Sequence, residues 1–131
     1  MISIGTDIVK VSRIKALIEQ KKEKFLNKIF TEEEISYCNS YPDSEVHLSG
    51  KYAAKEAVKK ALLSNDLIGH INLKDIKILN KENKAPYVVI DFVGFIPNHP
   101  IETQIDIVKL NYNLSISHEG EYAIAFIVIE K

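Results

Sequence analysis

The apolar residues of this 131-residue chain change their period part-way along, and that change limits the possible fold more than any other feature. Up to Leu63 they recur at helical spacing: Ile14, Leu17 and Ile18 make one stripe, and Ala54, Ala57, Val58, Ala61 and Leu62 make another. From Ile76 onward the stretches IKIL, YVVIDF, IDIVKLNYNLSIS and YAIAFIVIE are rich in β-branched and aromatic residues, with NKENKAP and HEGE as turns between them. This pattern predicts an α+β fold in which N-terminal helices pack on a C-terminal antiparallel sheet. The length suffices for one cooperative core and falls short of two ordinary domains, so residues 1–131 are expected to form a single domain.

Local signals place the boundaries. MISIG reads as a short strand that ends at Gly5 and leaves Thr6 and Asp7 at its mouth. Ser12 is placed to cap a helix over VSRIKALIEQ, and FLNKIF continues helically after a lysine-rich joint. Thr31 and Glu34 fit a capping box, which gives the acidic run TEEE a role at a helix N-terminus in preference to a metal site. After the turn cluster NSYPDS, Asp43 or Ser44 can start a long helix that runs to about Leu63. GFIPNHPIE, with its two prolines, is expected to be an irregular loop or edge excursion.

A formal net charge of −1 gives no global reason to bind nucleic acid or an anionic membrane. The charge is uneven, however. Between Lys10 and Lys28 seven cations (Lys10, Arg13, Lys15, Lys21, Lys22, Lys24, Lys28) face only Glu19 and Glu23, an asymmetry that suggests an acidic partner. Phe25 and Phe30 belong to the apolar stripe, so base stacking is poorly supported. The single cysteine, Cys38, excludes an intramolecular disulfide and suits a reducing compartment. With no basic leader and no run of 18 apolar residues, the expected location is the cytoplasm.

The stretch GKYAAKEAVKKAL sets Glu56 on a helical arc with Lys55, Lys59 and Lys60, opposite the alanines, where Glu56 and Lys60 have the spacing of an ion pair. Tyr52 and Leu63 share the sector of Glu56, which is unusual for a face turned wholly to water. A carboxylate at a strand end, Asp7, and one on a helix, Glu56, could together chelate Mg²⁺, which takes one or two carboxylates and fills its shell with water and phosphate oxygens. Asp7 could equally satisfy backbone N–H groups where strand turns into helix. Residue types alone leave both readings open. His118, where an alternating strand meets a glycine turn, is either incidental or placed to orient a phosphate or relay a proton. His47, His70 and His99 show no metal-ligand spacing and receive no role.

Taken together, GTD at 5–7, KYAAKEAVKKA at 51–61 and SISH at 115–118 resemble, in order and spacing, the holo-acyl carrier protein synthase family of phosphopantetheinyl transferases. RI at 13–14 and FLNKIFTEEE at 25–34 extend the resemblance over nearly the whole chain. The resemblance implies the 4′-phosphopantetheinyl transferase fold. It also implies Mg²⁺-dependent transfer of 4′-phosphopantetheine from coenzyme A to a serine of an apo acyl carrier protein. Adenosine 3′,5′-bisphosphate would be released, in support of fatty acid synthesis. By the same resemblance Asp7 and Glu56 hold Mg²⁺, Lys60 contacts the phosphates, His118 orients the pyrophosphate, and Lys51 and Lys55 add charge. Lys84 is carried over from a family lysine one place away, and Arg13, followed by Lys21, Lys22 and Lys24, would dock the acidic carrier. The family's assembly implies a homotrimer with sites between subunits. The base that takes the serine proton stays open among a metal-bound water, Glu56 and a neighbouring group.

The chain departs from the family in three places. LLSNDLIGHI keeps only Gly69 where a glycine-rich phosphate loop is common, ENKAP replaces an Asn-Gly-Lys-Pro hairpin, and VGFIPNHPIETQ is an extra segment. Two rival readings stand beside the transferase: a non-catalytic module whose basic helix docks an acidic protein or RNA, and a different Mg²⁺-dependent phosphotransferase.

Overall fold

A computed structural model describes residues 1–92 and 101–131. Strand β1 (Ile2–Lys10) lies beside β5 (Tyr122–Glu130), which also pairs with β4 (Asn111–Glu119), so an antiparallel sheet is ordered β1-β5-β4. Helices α1 (Val11–Lys21), α2 (Glu23–Ile29), α3 (Glu32–Asn39) and α4 (Ser44–Ser64) follow β1. A 3₁₀ turn at Leu73–Asp75 leads into a separate hairpin of β2 (Ile76–Asn80) and β3 (Pro86–Ile90), and α5 (Ile101–Val108) precedes β4. The α+β class holds, with one amendment: the three-stranded sheet takes an edge strand from the N-terminus.

Helix α4 is the spine. Its Ala53, Ala54, Ala57, Val58 and Ala61 pack on Val9, Ala125, Ile127 and Ile129 of the sheet, all buried in one cluster. Small residues on both sides let helix and sheet approach closely, and the approach is tightest at Gly5. A Cβ there would run into the Ala57 carbonyl, so only glycine allows β1 to lie against α4 at this point. Ser3 secures the contact by donating its hydroxyl proton to the Ala61 carbonyl.

Several boundaries differ from the sequence-based expectation. β1 does not stop at Gly5: β5 pairs with it through Lys10, so Thr6 and Asp7 lie within the strand. Ser12 is not the cap of α1, which starts at Val11, whose N–H donates to the Glu121 carbonyl at 2.7 Å. Asp43 precedes α4 without a side-chain capping bond. IDIV is helical, because Ile101, Ile105 and Val108 recur at helical spacing in a stretch whose branched residues also suit a strand. The Thr31–Glu34 capping box is present as expected. GFIPNHPIE falls largely on residues 93–100, outside the described residues, and so does His99.

The outward face of the sheet is apolar on two strands only. Ile2, Ile4 and Ile8 of β1 and Tyr122, Ile124 and Phe126 of β5 are each at least 44% exposed, whereas β4 turns Asn111, Asn113, Ser115 and Ser117 outward. Among the described residues no helix is long and apolar enough to cross a membrane.

Candidate active site

Alternation along β1 turns Ser3, Gly5, Asp7 and Val9 toward α4 and the even residues away from it. Having let the strand approach at Ala57, Gly5 therefore delivers Asp7 to the stretch of α4 that carries Glu56 and Lys60. The Lys60 ammonium donates to Asp7 Oδ1 at 2.8 Å and to the Thr6 carbonyl at 3.2 Å. Asp7 is 15% exposed in this pair and Lys60 56%. Lys60 thus prefers the strand to Glu56, its expected helical partner.

Glu56 instead lies beside the Tyr52 hydroxyl one turn earlier, close enough for its charge to act on that phenol. Burial raises the Tyr52 hydroxyl above its ordinary value, and the negative charges of Glu56 and Asp7 push the same way while Arg13 opposes them. One phenol therefore senses both carboxylates and the first residue of the basic run named for docking. Phe25 of α2 lies against the Tyr52 ring at 6.3 Å, which ties α2 to this corner.

Lys51 and Lys55 do not join it. The sequence-based expectation put both near phosphates, yet Lys51 is 4% exposed and Lys55 fully buried. Lys51 donates to the Ile78 carbonyl and to Asn80 Oδ1, with its ammonium 4.8 Å from the Tyr37 ring centre. Lys55 donates to Glu34 Oε1 at 2.9 Å, the Ile76 carbonyl at 2.6 Å and the Leu73 carbonyl at 3.1 Å. Three acceptors fill all three donor positions of the Lys55 ammonium, and two acceptors with the Tyr37 ring surround that of Lys51, so the fold itself occupies both lysines. The cause is the edge of β2 away from β3, whose free backbone groups need partners.

His118 also lies apart from the carboxylates. It projects near the end of β4, two strands from β1, with its ring 6.2 Å from that of His47. His47 stacks on Tyr41 at 4.0 Å and contacts Asp43 at 3.4 Å, and the Lys84 ammonium stands 5.9 Å over Tyr41. His47 is nine residues before Glu56, about 13 Å along the helix. The structure therefore groups His118 with Lys84 at one end of α4, and Asp7 with Glu56 and Lys60 nearer the other. His118 also borders a cleft of about 560 Å³ shared with Ile8, Tyr122 and Ile124, next to the exposed apolar face. Arg13, Lys21, Lys22 and Lys24 are all exposed, and Lys22 forms the joint between α1 and α2 with φ 47°.

The carboxylate corner suits a hard cation. Among the described residues no group of three or more His, Cys, Asp or Glu side chains is assembled to hold a metal, so the donors offered are the two carboxylates alone. That set is too small for a structural zinc site and fits Mg²⁺, which completes its shell with water and phosphate oxygens. Two residues with a bearing on the site escaped assignment from sequence. The sector shared by Tyr52 and Glu56 signalled the first, whereas nothing local signalled that Glu34, at the N-terminus of α3, also reaches Lys55 on α4.

Comparison with known proteins gives a consistent answer. Residues 3–127 match the model of the 4′-phosphopantetheinyl transferase superfamily. The chain is 44% identical over 126 residues to a holo-[acyl-carrier-protein] synthase of Thermodesulfovibrio yellowstonii, covering 96% of each, and 40% identical over 127 residues to that of Protochlamydia amoebophila, covering 97% of this chain and 96% of the relative. Its fold matches the crystal structure of the Helicobacter pylori holo-[acyl-carrier-protein] synthase in complex with coenzyme A, with a TM-score of 0.75, 30% identity and coverage of 97% and 99%.

Proposed function

Because the chain belongs to the 4′-phosphopantetheinyl transferase superfamily, we propose that it moves 4′-phosphopantetheine from coenzyme A to the acceptor serine of an apo acyl carrier protein, with Mg²⁺ and release of adenosine 3′,5′-bisphosphate. It would act as one domain in the cytoplasm, in support of fatty acid synthesis. The observation that carries this reading is the Asp7–Lys60 ion pair where β1 crosses α4, one helical turn from Glu56.

Phosphoryl transfer asks a protein mainly for charge neutralisation and alignment. Asp7 and Glu56 would hold Mg²⁺, which when bound neutralises charge on the coenzyme A pyrophosphate. Lys60, half exposed and already beside Asp7, is placed to contact a phosphate oxygen by a charge-assisted hydrogen bond. Tyr52 flanks the Glu56 carboxylate on the same face of α4. Arg13, with Lys21, Lys22 and Lys24, presents positive charge to an acidic carrier and speeds encounter.

A homotrimer with sites between subunits accounts for the remaining geometry. Within one chain His118 and Lys84 gather around His47 and Tyr41 instead of joining the Asp7–Lys60 pair, and a second copy packed on the apolar β1–β5 face would complete a site from both groups. An exposed apolar face of this extent on a small domain is itself a mark of association.

The test is to incubate the protein with coenzyme A, Mg²⁺ and an apo acyl carrier protein and to resolve the nucleotides chromatographically. Stoichiometric adenosine 3′,5′-bisphosphate, abolished by a chelator, is expected. A different nucleotide would point to another phosphotransferase, and none at all, with the carrier still bound, to a non-catalytic docking module.

A further inference from the structure

The free edge of β2 is completed by charged side chains from two helices. Along it Ile76 offers its carbonyl to Lys55, Ile78 donates its N–H to Glu34 Oε2 at 2.9 Å, and Ile78 offers its carbonyl to Lys51. Glu34 Oε1 takes both the Lys55 ammonium at 2.9 Å and the Thr31 N–H at 2.8 Å. Glu34 thus closes the cap of α3, pairs with α4 and bonds to β2 at once. Both side chains of the Glu34–Lys55 pair are 0% exposed, and among the described residues no buried side-chain polar atom lacks a partner.

Lys55 is the residue immediately before Glu56. A helix that must aim one side chain into a three-acceptor nest has its rotation about its own axis fixed there, and the next residue points 100° away in a direction set by the nest. With Lys55 turned to Glu34 and β2, Glu56 is turned to Tyr52 and toward the side of β1, where Lys60 reaches Asp7. Lys51, one turn earlier, grips the same strand nearer the hairpin, so the β2 edge holds α4 at two successive turns.

We propose that Glu34 and Lys55 are positioning residues of the transfer site: their buried pair, nested on the β2 edge, sets the rotation of α4 that presents Glu56 alongside Asp7. The pair touches neither carrier nor nucleotide and acts only through Glu56. Groups that orient a metal ligand typically change metal affinity or activity by about 10–100-fold when lost. The inference rests on the functional reading given above.

The test uses Mn²⁺ in place of Mg²⁺, with coenzyme A present, and reads binding by water-proton relaxation alongside kcat, KM and the melting temperature. Wild type, Asp7→Asn, Lys55→Met and Ile107→Ala are compared. Ile107→Ala removes a buried apolar side chain of α5, away from the β2 edge, and serves as the measure of destabilisation alone. The proposal expects Lys55→Met to bind Mn²⁺ about 10-fold or more weakly and to lose kcat, with Ile107→Ala within about 2-fold of wild type. Equal losses in Lys55→Met and Ile107→Ala, or wild-type affinity in Lys55→Met, would overturn it. If Lys55→Met does not fold, Glu34→Gln, which keeps the shape of the nest, is judged by the same criterion. A wild type that shows no saturable Mn²⁺ binding would sink the site reading itself, whereas loss in Asp7→Asn with retention in Lys55→Met would sink only the positioning role.

Discussion

Helix α4 carries two lysine–carboxylate pairs of nearly equal length, five residues apart, and they do opposite things. Lys55 meets Glu34 at 2.9 Å with both side chains fully buried, and Lys60 meets Asp7 at 2.8 Å with the lysine 56% and the aspartate 15% exposed. In the first pair every ammonium donor is taken by the fold. In the second, the lysine stands at the surface one turn from a second carboxylate, Glu56, whose charge acts on the Tyr52 phenol of its own helix. Distance alone cannot tell a structural ion pair from a binding site. Burial and the count of satisfied donors can.

The contrast breaks most sharply at Asp7. Asp7→Asn is expected to lower transfer about 100-fold or more, since on the proposed function it removes a metal ligand and forfeits several kcal/mol of charge stabilisation, while the unfolding midpoint in urea hardly moves. Lys55→Met should do the reverse on the stability axis. Leaving Glu34 buried and unpaired costs about 3–5 kcal/mol in urea denaturation, and the double variant Glu34→Gln with Lys55→Met should recover part of that loss. Lys60→Met sharpens the comparison from the other side. Its effect on unfolding should stay under about 1 kcal/mol, while KM for coenzyme A rises about 10-fold, as expected for a lost charge-assisted hydrogen bond.

Smaller effects probe the surfaces next to these pairs. Arg13→Ala should raise KM for the carrier a few-fold, on the order of 1 kcal/mol, and the wild-type KM should climb with salt as screening grows. The buried Cys38 thiol is pushed up to about 12, chiefly by burial, so at pH 8 almost no thiolate is present. Native protein should therefore resist iodoacetamide, and only denatured protein should be alkylated.

How much of this was legible beforehand follows from where each signal resides. The Thr31–Glu34 box, the long α4 and the hairpin at ENKAP are local patterns and appear as expected. The meeting of Asp7 with α4 is left open by residue types and is favoured by the resemblance alone, because it depends on Gly5 contacting Ala57 across 52 positions of chain. The helical wheel assigned Lys55 to the polar arc with Glu56, yet Lys55 points inward. A wheel knows the periodicity of one helix and nothing of the unpaired strand edge beside it. α5 was missed because IDIV suits both periods, and the strand reading carried over from β-branched neighbours. Long-range partners, rather than weak local signals, account for the differences at the site.

The most direct test of the central claim is the intact mass of an apo acyl carrier protein after incubation with coenzyme A and Mg²⁺, comparing wild type with Glu56→Gln at matched, folded concentrations. A gain of one phosphopantetheine with wild type, absent with Glu56→Gln and absent with chelator, is the predicted result. Modification by Glu56→Gln at the wild-type rate would contradict it, and would show that the carboxylate corner of α4 is not where the transfer takes place.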